Sequence, residues 1–158
     1  MLDFTYAYKM KEQFNGDIAN LRTFGPDWGL EPDDTSYAMV TNHDLERNGS
    51  TLTYKDGDTY KLATYFMLSW PHGVPQVYDG FTFSNNDASP PADADGYVTD
   101  ASCSEAWQCV HRDTGVAGMV GWRNAVGDAE VTGFQSPTAN VIGFARGAAG
   151  FVALNNTG

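Results

Sequence analysis

The chain has 158 residues, is 42% hydrophobic and 13% aromatic, and carries a formal net charge of −11 from 20 acidic and 9 basic residues. That length serves one domain with a sizeable core. The acidic balance excludes nucleic acid and anionic membrane as partners, and no apolar run nears the roughly 18 residues of a membrane-crossing helix.

Leu2, Phe4, Tyr6 and Tyr8 alternate with smaller or polar residues, which predicts a strand over 2–8. Lys9 to Phe14 reads as a short helix halted at Asn15-Gly16. Asp17 is placed to cap a second helical piece, Ile18 to Phe24, which stops before Gly25-Pro26. Trp28 to Asp34 is loop, and Ser36 to Val40 is the next strand. Asn48 to Gly57 is turn-prone, after which Asp58 caps the clearest helix, with Leu62, Tyr65, Phe66 and Ser69 at helical spacing and Pro71 at its end. Val74 to Tyr78 is a third short strand. Strand, helix, strand, helix, strand in that order favours a parallel sheet of the α/β class.

From Phe81 to Asp100 the chain is irregular. Asp87, Asp93 and Asp95 tempt a calcium assignment, but no Glu stands at the twelfth position of a loop, so these read as solvated turns. Cys103 and Cys109 stand six apart in a polar stretch. A small-loop disulfide, which points to an oxidising compartment, is one reading. A zinc pair fits the spacing less well, and two free thiols are the third reading. Asp113 to Ala125 reads as a helix with Val116, Met119, Val120 and Arg123 on one face, weakened by Gly115, Gly118 and Gly121 unless these admit a close neighbour. After Gly127 the pattern changes to short strands, Val131 to Phe134, Asn140 to Arg146 and Gly150 to Leu154, the last two joined as a hairpin.

The stretch richest in chemistry is Met39-Val40-Thr41-Asn42-His43-Asp44, where an apolar strand ends in an amide, an imidazole and a carboxylate. A run of this kind is commonly a plain turn. If the strand stops by Asn42, the three side chains converge on a ligand above its C-terminal end. Glu46 and Arg47 border this stretch and read as solvated charges, and Trp28, Trp70, Trp107 and Trp122 read as packing.

Six segments in order resemble the α-amylases of glycoside hydrolase family 13. Met39-Val40-Thr41-Asn42-His43-Asp44 is similar to that family's Phe-Val-Asp-Asn-His-Asp motif, and Trp28-Gly29-Leu30-Glu31-Pro32-Asp33 to the loop before it. Leu62 to Gly73, Cys103-x5-Cys109-x-His111, Met119 to Asn124 and Ile142 to Gly147 match further segments. The similarity is greatest to the actinobacterial and animal-type branch. It implies the C-terminal part of a (β/α)8 TIM barrel over 1–126, followed over 127–158 by the first antiparallel strands of a β-sandwich domain. It implies Asp44 as the third catalytic carboxylate, stabilising an oxocarbenium-like transition state, and His43 as a ligand of the sugar. It also implies a starch or maltooligosaccharide substrate and a secreted protein.

The departures from the family are equally informative. The family's nucleophilic Asp, acid/base Glu and calcium ligands lie upstream of the segments matched here, so the isolated chain is expected to be inactive and to lack the first part of its barrel. Thr41 replaces the motif's usual Asp. In the animal-type branch Asn42 helps to bind chloride together with an Arg whose position is held here by Gln76, which predicts chloride-independent activity. The alternative functions are a non-catalytic starch-binding or structural piece, and a family relative of different linkage specificity.

Overall fold

The computed structural model describes residues 1–103 and 106–157. Strand β1 is only Leu2–Asp3, and helix α1 begins at once, Phe4–Phe14. The strand expected to continue to Tyr8 is therefore helix. The same apolar residues also fit helical spacing, with Tyr6, Met10 and Phe14 buried at i, i+4 and i+8 while Phe4 and Tyr8 stay exposed. The Asp3 carboxylate settles the choice by accepting from the Tyr6 N–H at 2.9 Å as the helix cap.

Ile18–Thr23 is a 3-10 helix that buries Ile18 and Leu21, three apart, and Asp17 makes no side-chain cap to it. A second 3-10 turn, Pro26–Trp28, occupies the start of the expected loop. Strand β2, Tyr37–Met39, is followed by the one-turn helix α2, Leu45–Asn48. Helix α3 runs Asp58–Ser69. Its N-cap is Gly57, at φ 55°, and Asp58 stands in the first turn instead of capping. The helix stops at Trp70, whose extended backbone is what a residue before proline prefers. Strand β3 is Val74–Gln76, shorter than expected. Before it, Gly73 packs so tightly that a Cβ would lie 2.8 Å from the Ser36 carbonyl oxygen, at a positive φ of 60°.

The three strands pair in parallel, β1 beside β2 beside β3. Leu2, Tyr37 and Val74 form one cross-sheet row, and Asp3, Ala38 and Pro75 the next. Side chains of adjacent rows point to opposite faces. Asp3 and Ala38 of the second row are fully buried and Pro75 is half-buried, whereas Leu2, Tyr37 and Val74 are 39%, 45% and 58% exposed. One face of the sheet thus carries the core and the other an open apolar strip.

Helix α4, Thr114–Val126, is capped by Asp113, whose carboxylate accepts from the N–H groups of Gly115 and Val116. Gly115 receives the Tyr65 ring of α3, which would collide with a Cβ there, while Gly118 and Gly121 face open space. Val116 is buried and Val120 is 40% exposed, so the apolar face is narrower than expected. Strands β4, Val131–Thr138, β5, Val141–Arg146, and β6, Gly150–Asn155, form an antiparallel meander with two register shifts in β4. One aromatic chain unites the two parts: Phe66 stacks on Trp70 at 5.2 Å, Trp70 meets Phe144 edge-on at 5.3 Å, and Phe144 stacks on Phe134 at 5.9 Å. Fixing large planar rings in this way couples helix to sheet through many dispersion contacts.

Candidate functional site

Parallel α/β sheets place ligands beyond the C-terminal ends of their strands. At that end of β2 the extended pairing stops after Met39. Val40, Thr41 and Asn42 are buried, and Thr41 is held hydroxyl to hydroxyl by Thr51 at 2.9 Å. The threonine at the motif's usual Asp position thus has a neutral partner. The Asn42 side-chain oxygen accepts from the N–H groups of Asp44 and Leu45 at 3.0 and 2.8 Å, a turn that starts α2. This turn lifts His43 and Asp44 out of the sheet. Their side chains are 75% and 74% exposed and lie beside each other, Nε2 to Oδ2 at 3.6 Å. The structure thus brings His43 and Asp44 side by side but not Asn42, which points inward and whose amide nitrogen is buried with no partner among the described residues. Gln76, at the C-terminal end of β3, is exposed.

Glu46 and Arg47, which border this stretch, are both engaged by the surrounding fold. Glu46 is 4% exposed, so it is not the solvated charge expected from its place in a polar run. It accepts a 2.7 Å hydrogen bond from the Tyr78 hydroxyl, two residues beyond β3. Burial raises its carboxyl above the ordinary value, a shift that the Tyr78 hydrogen bond opposes. Burial likewise pushes the Tyr78 phenol up, so it stays a donor. Arg47 donates to the carbonyls of Asn86 and Ala88 and lies over the Phe81 and Phe83 rings at 5.4 and 4.6 Å. It thereby ties residues 81–88 to the end of β2. No signal in the sequence pairs Glu46 with Tyr78, because the contact spans 32 residues and depends on two parallel strands being neighbours.

The remaining candidates are structural. His72 is buried between Asp3 and Asp33, at 3.6 and 3.4 Å, and stacks on Tyr6. His111 pairs with Asp79 through its Nδ1. Asp87, Asp93 and Asp95 are exposed, as expected. Trp70 is core, and Trp107 packs on Phe81. Cys103 and Cys109 form a disulfide with their Cα atoms 5.3 Å apart, which decides among the three readings of that pair. Among the described residues no group of three or more His, Cys, Asp or Glu side chains is placed to hold a metal ion.

No protein-family model matches the chain. Individual proteins do. An α-amylase of Streptomyces violaceus is 39% identical over 98% of this chain and 27% of its own length. An α-amylase of Tenebrio molitor is 39% identical over all of this chain and 36% of its own length. An α-amylase-related protein of Drosophila melanogaster is 37% identical over 98% and 33% respectively. The crystal structure of α-amylase I from Eisenia fetida superposes with a TM-score of 0.94 at 26% identity, over 99% of this chain and 36% of that one, and a mutant form of it was solved with maltohexaose. The chain thus spans about a third of the length of these relatives. With the parallel strands, the later antiparallel unit and the His-Asp pair at a strand end, this correspondence makes the chain similar over nearly its whole length to a C-terminal portion of the α-amylases.

Proposed function

We propose that the chain contributes the transition-state-stabilising rim of a retaining α-amylase that cleaves internal α-1,4-glucosidic bonds of starch and related glucans. The observation that carries this is the exposed His43–Asp44 pair at the C-terminal end of a parallel strand, in a fold that superposes on an enzyme also solved with maltohexaose. In this reading Asp44 supplies negative charge beside a sugar ring that becomes cationic as the glycosidic bond breaks. His43 hydrogen-bonds a hydroxyl of that ring. The Asn42 turn and the Glu46–Tyr78 bond hold the pair in place from beneath.

Retaining hydrolysis needs a nucleophile and an acid/base carboxyl roughly 5–5.5 Å apart across the bond. Glu46 is unsuited to either role, being buried and engaged by Tyr78. We therefore infer that residues 1–126 are the closing part of the barrel and 127–158 the opening of the following β domain. In this reading the nucleophile, the acid/base and the calcium ligands are not among these 158 residues. The neutral Gln76 supplies no cation for an anion site, which makes the activity chloride-independent. The Cys103–Cys109 disulfide fits a secreted protein.

The test is hydrolysis of soluble starch by two proteins. The 158-residue chain alone is expected to show no turnover. A chimera in which it replaces the matching portion of the Streptomyces violaceus enzyme is expected to be active. Turnover by the chain alone at a normal amylase rate, or an inactive but folded chimera, overturns the proposal.

A further inference from the structure

The chain has ten asparagines, and two of them open an Asn-x-Ser/Thr triplet: Asn48-Gly49-Ser50 and Asn155-Asn156-Thr157. We propose that Asn48 and Asn155 are modification sites that accept N-linked glycans from a pyrophosphate-linked oligosaccharide donor. The inference rests on the secreted reading and not on the hydrolysis of starch.

A triplet alone is a weak signal. The independent observation is that both triplets hold the same local geometry. The Asn48 Oδ1 accepts from the Ser50 N–H at 2.9 Å and from the Ser50 hydroxyl at 2.5 Å. The Asn155 Oδ1 accepts from the Thr157 N–H at 3.0 Å and from the Thr157 hydroxyl at 2.7 Å. Each is an Asx turn closed a second time by the hydroxyl of the third residue. These bonds span two residues, so the turn can form in the nascent chain before any tertiary contact exists.

The turn suits the chemistry. In the transfer, the asparagine Nδ2 attacks the anomeric carbon of the donor. The new N–C bond forms as the C–O bond to pyrophosphate breaks, pyrophosphate leaves with the electron pair, and an amide proton passes to a base of the transferase. An amide nitrogen is a poor nucleophile because its lone pair is shared with the carbonyl. Two donors on Oδ1 stabilise the negative charge that builds there as Nδ2 gives up its proton. Neither Nδ2 has a hydrogen-bond partner among the described residues.

The fold leaves room for both glycans. Asn48 and Ser50 are exposed, at the end of α2 and just past it. Asn155 is the last residue of β6, the edge strand of the antiparallel sheet, on the outer face with Phe151 and Ala153. A glycan there covers a free edge and a 66% exposed phenylalanine. Its neighbour Asn156 is spent structurally, donating to the carbonyls of Phe14 and Gly16 at 3.1 and 2.9 Å. Asn85 is a natural control. It is exposed and its Oδ1 accepts from the Asp87 N–H at 3.0 Å, but the third residue carries no hydroxyl.

The experiment translates the 158-residue chain behind a secretory leader with eukaryotic microsomal membranes. Glycans are counted by gel mobility before and after peptide N-glycosidase. Two are expected. Asn48→Gln and Asn155→Gln should each remove one, and so should Ser50→Ala and Thr157→Val, which keep the asparagine. Asp87→Thr should add a third. Transfer precedes folding, so a variant that does not fold is still read. A chain that enters the membranes, shown by protection from added protease, yet carries no glycan sinks this inference alone. So does a glycan count that Ser50→Ala and Thr157→Val leave unchanged. A chain that fails to enter sinks the secreted reading and this inference with it.

Discussion

Asp44 and His43 gain their exposure from what their neighbours give up. Asn42 spends its side-chain oxygen on two backbone N–H groups, and the turn so formed pushes the next two side chains outward. In the active chimera Asp44→Asn keeps this geometry and removes the charge. We expect kcat to fall by about 10²–10³ with little change in KM, measured on a soluble oligosaccharide. Glu46 is a second residue whose behaviour follows from its surroundings. Because burial raises its folded-state carboxyl value above the unfolded one, the folded chain holds the proton more tightly and loses stability as pH rises through the raised value. Glu46→Gln removes that penalty while keeping an oxygen for Tyr78. The variant should melt higher than the parent at pH 7, with the gain vanishing below the ordinary Glu value of about 4.3; an equal gain at both pH values contradicts this. Arg146 is 1% exposed and donates to the carbonyls of Ala129, Ser69 and Gly127. It joins α3, the turn after α4 and β5 through one guanidinium. Arg146→Met leaves three carbonyls unserved, at about 1 kcal/mol or more each, so urea unfolding should show a loss of about 3 kcal/mol. Lysine cannot reach three divergent acceptors and should not rescue it.

At the scale of the element, capping decides what hydrophobic pattern leaves open. Leu2 to Tyr8 satisfies a strand period and a helix period at once, and the Asp3 carboxylate selects the helix by binding the Tyr6 N–H. Helix α4 shows the same principle with more at stake, because three glycines weaken it. Asp113 compensates by accepting from two first-turn N–H groups. Its carboxyl is held below the usual range, first by the hydrogen bond from Lys61 and then by those backbone donors. Such a group stabilises the fold above its unfolded value and loses that contribution as pH falls through the depressed one. Asp113→Ala should therefore cost about 0.5–2 kcal/mol at pH 7 by thermal melt, and less in acid. Of the three glycines only Gly115 has a structural reason, the Tyr65 ring seated against it. Gly118→Ala, in open space, should if anything strengthen the helix.

The whole molecule carries an imbalance that no single element reveals. One face of the parallel sheet is sealed by helices, and the other shows Leu2, Tyr37 and Val74 to solvent. β1 and β3 also have one unpaired edge each. Exposed apolar strips and free edges drive association. In light scattering the isolated chain should associate with rising concentration, and Val74→Lys should reduce this. A sharp monomeric melt at high concentration would contradict the prediction.

The parallel and antiparallel halves, the clearest helix and the His43–Asp44 motif were all legible in the sequence. Hydrophobic periodicity, turn residues and a chemically distinctive run act locally, so order along the chain preserves them. The pairing of Glu46 with Tyr78 and the burial of Asp3, His72 and Arg146 were not. Each joins residues that only the fold makes adjacent. A charged side chain in a polar run looks solvated until tertiary packing removes the water and supplies a partner.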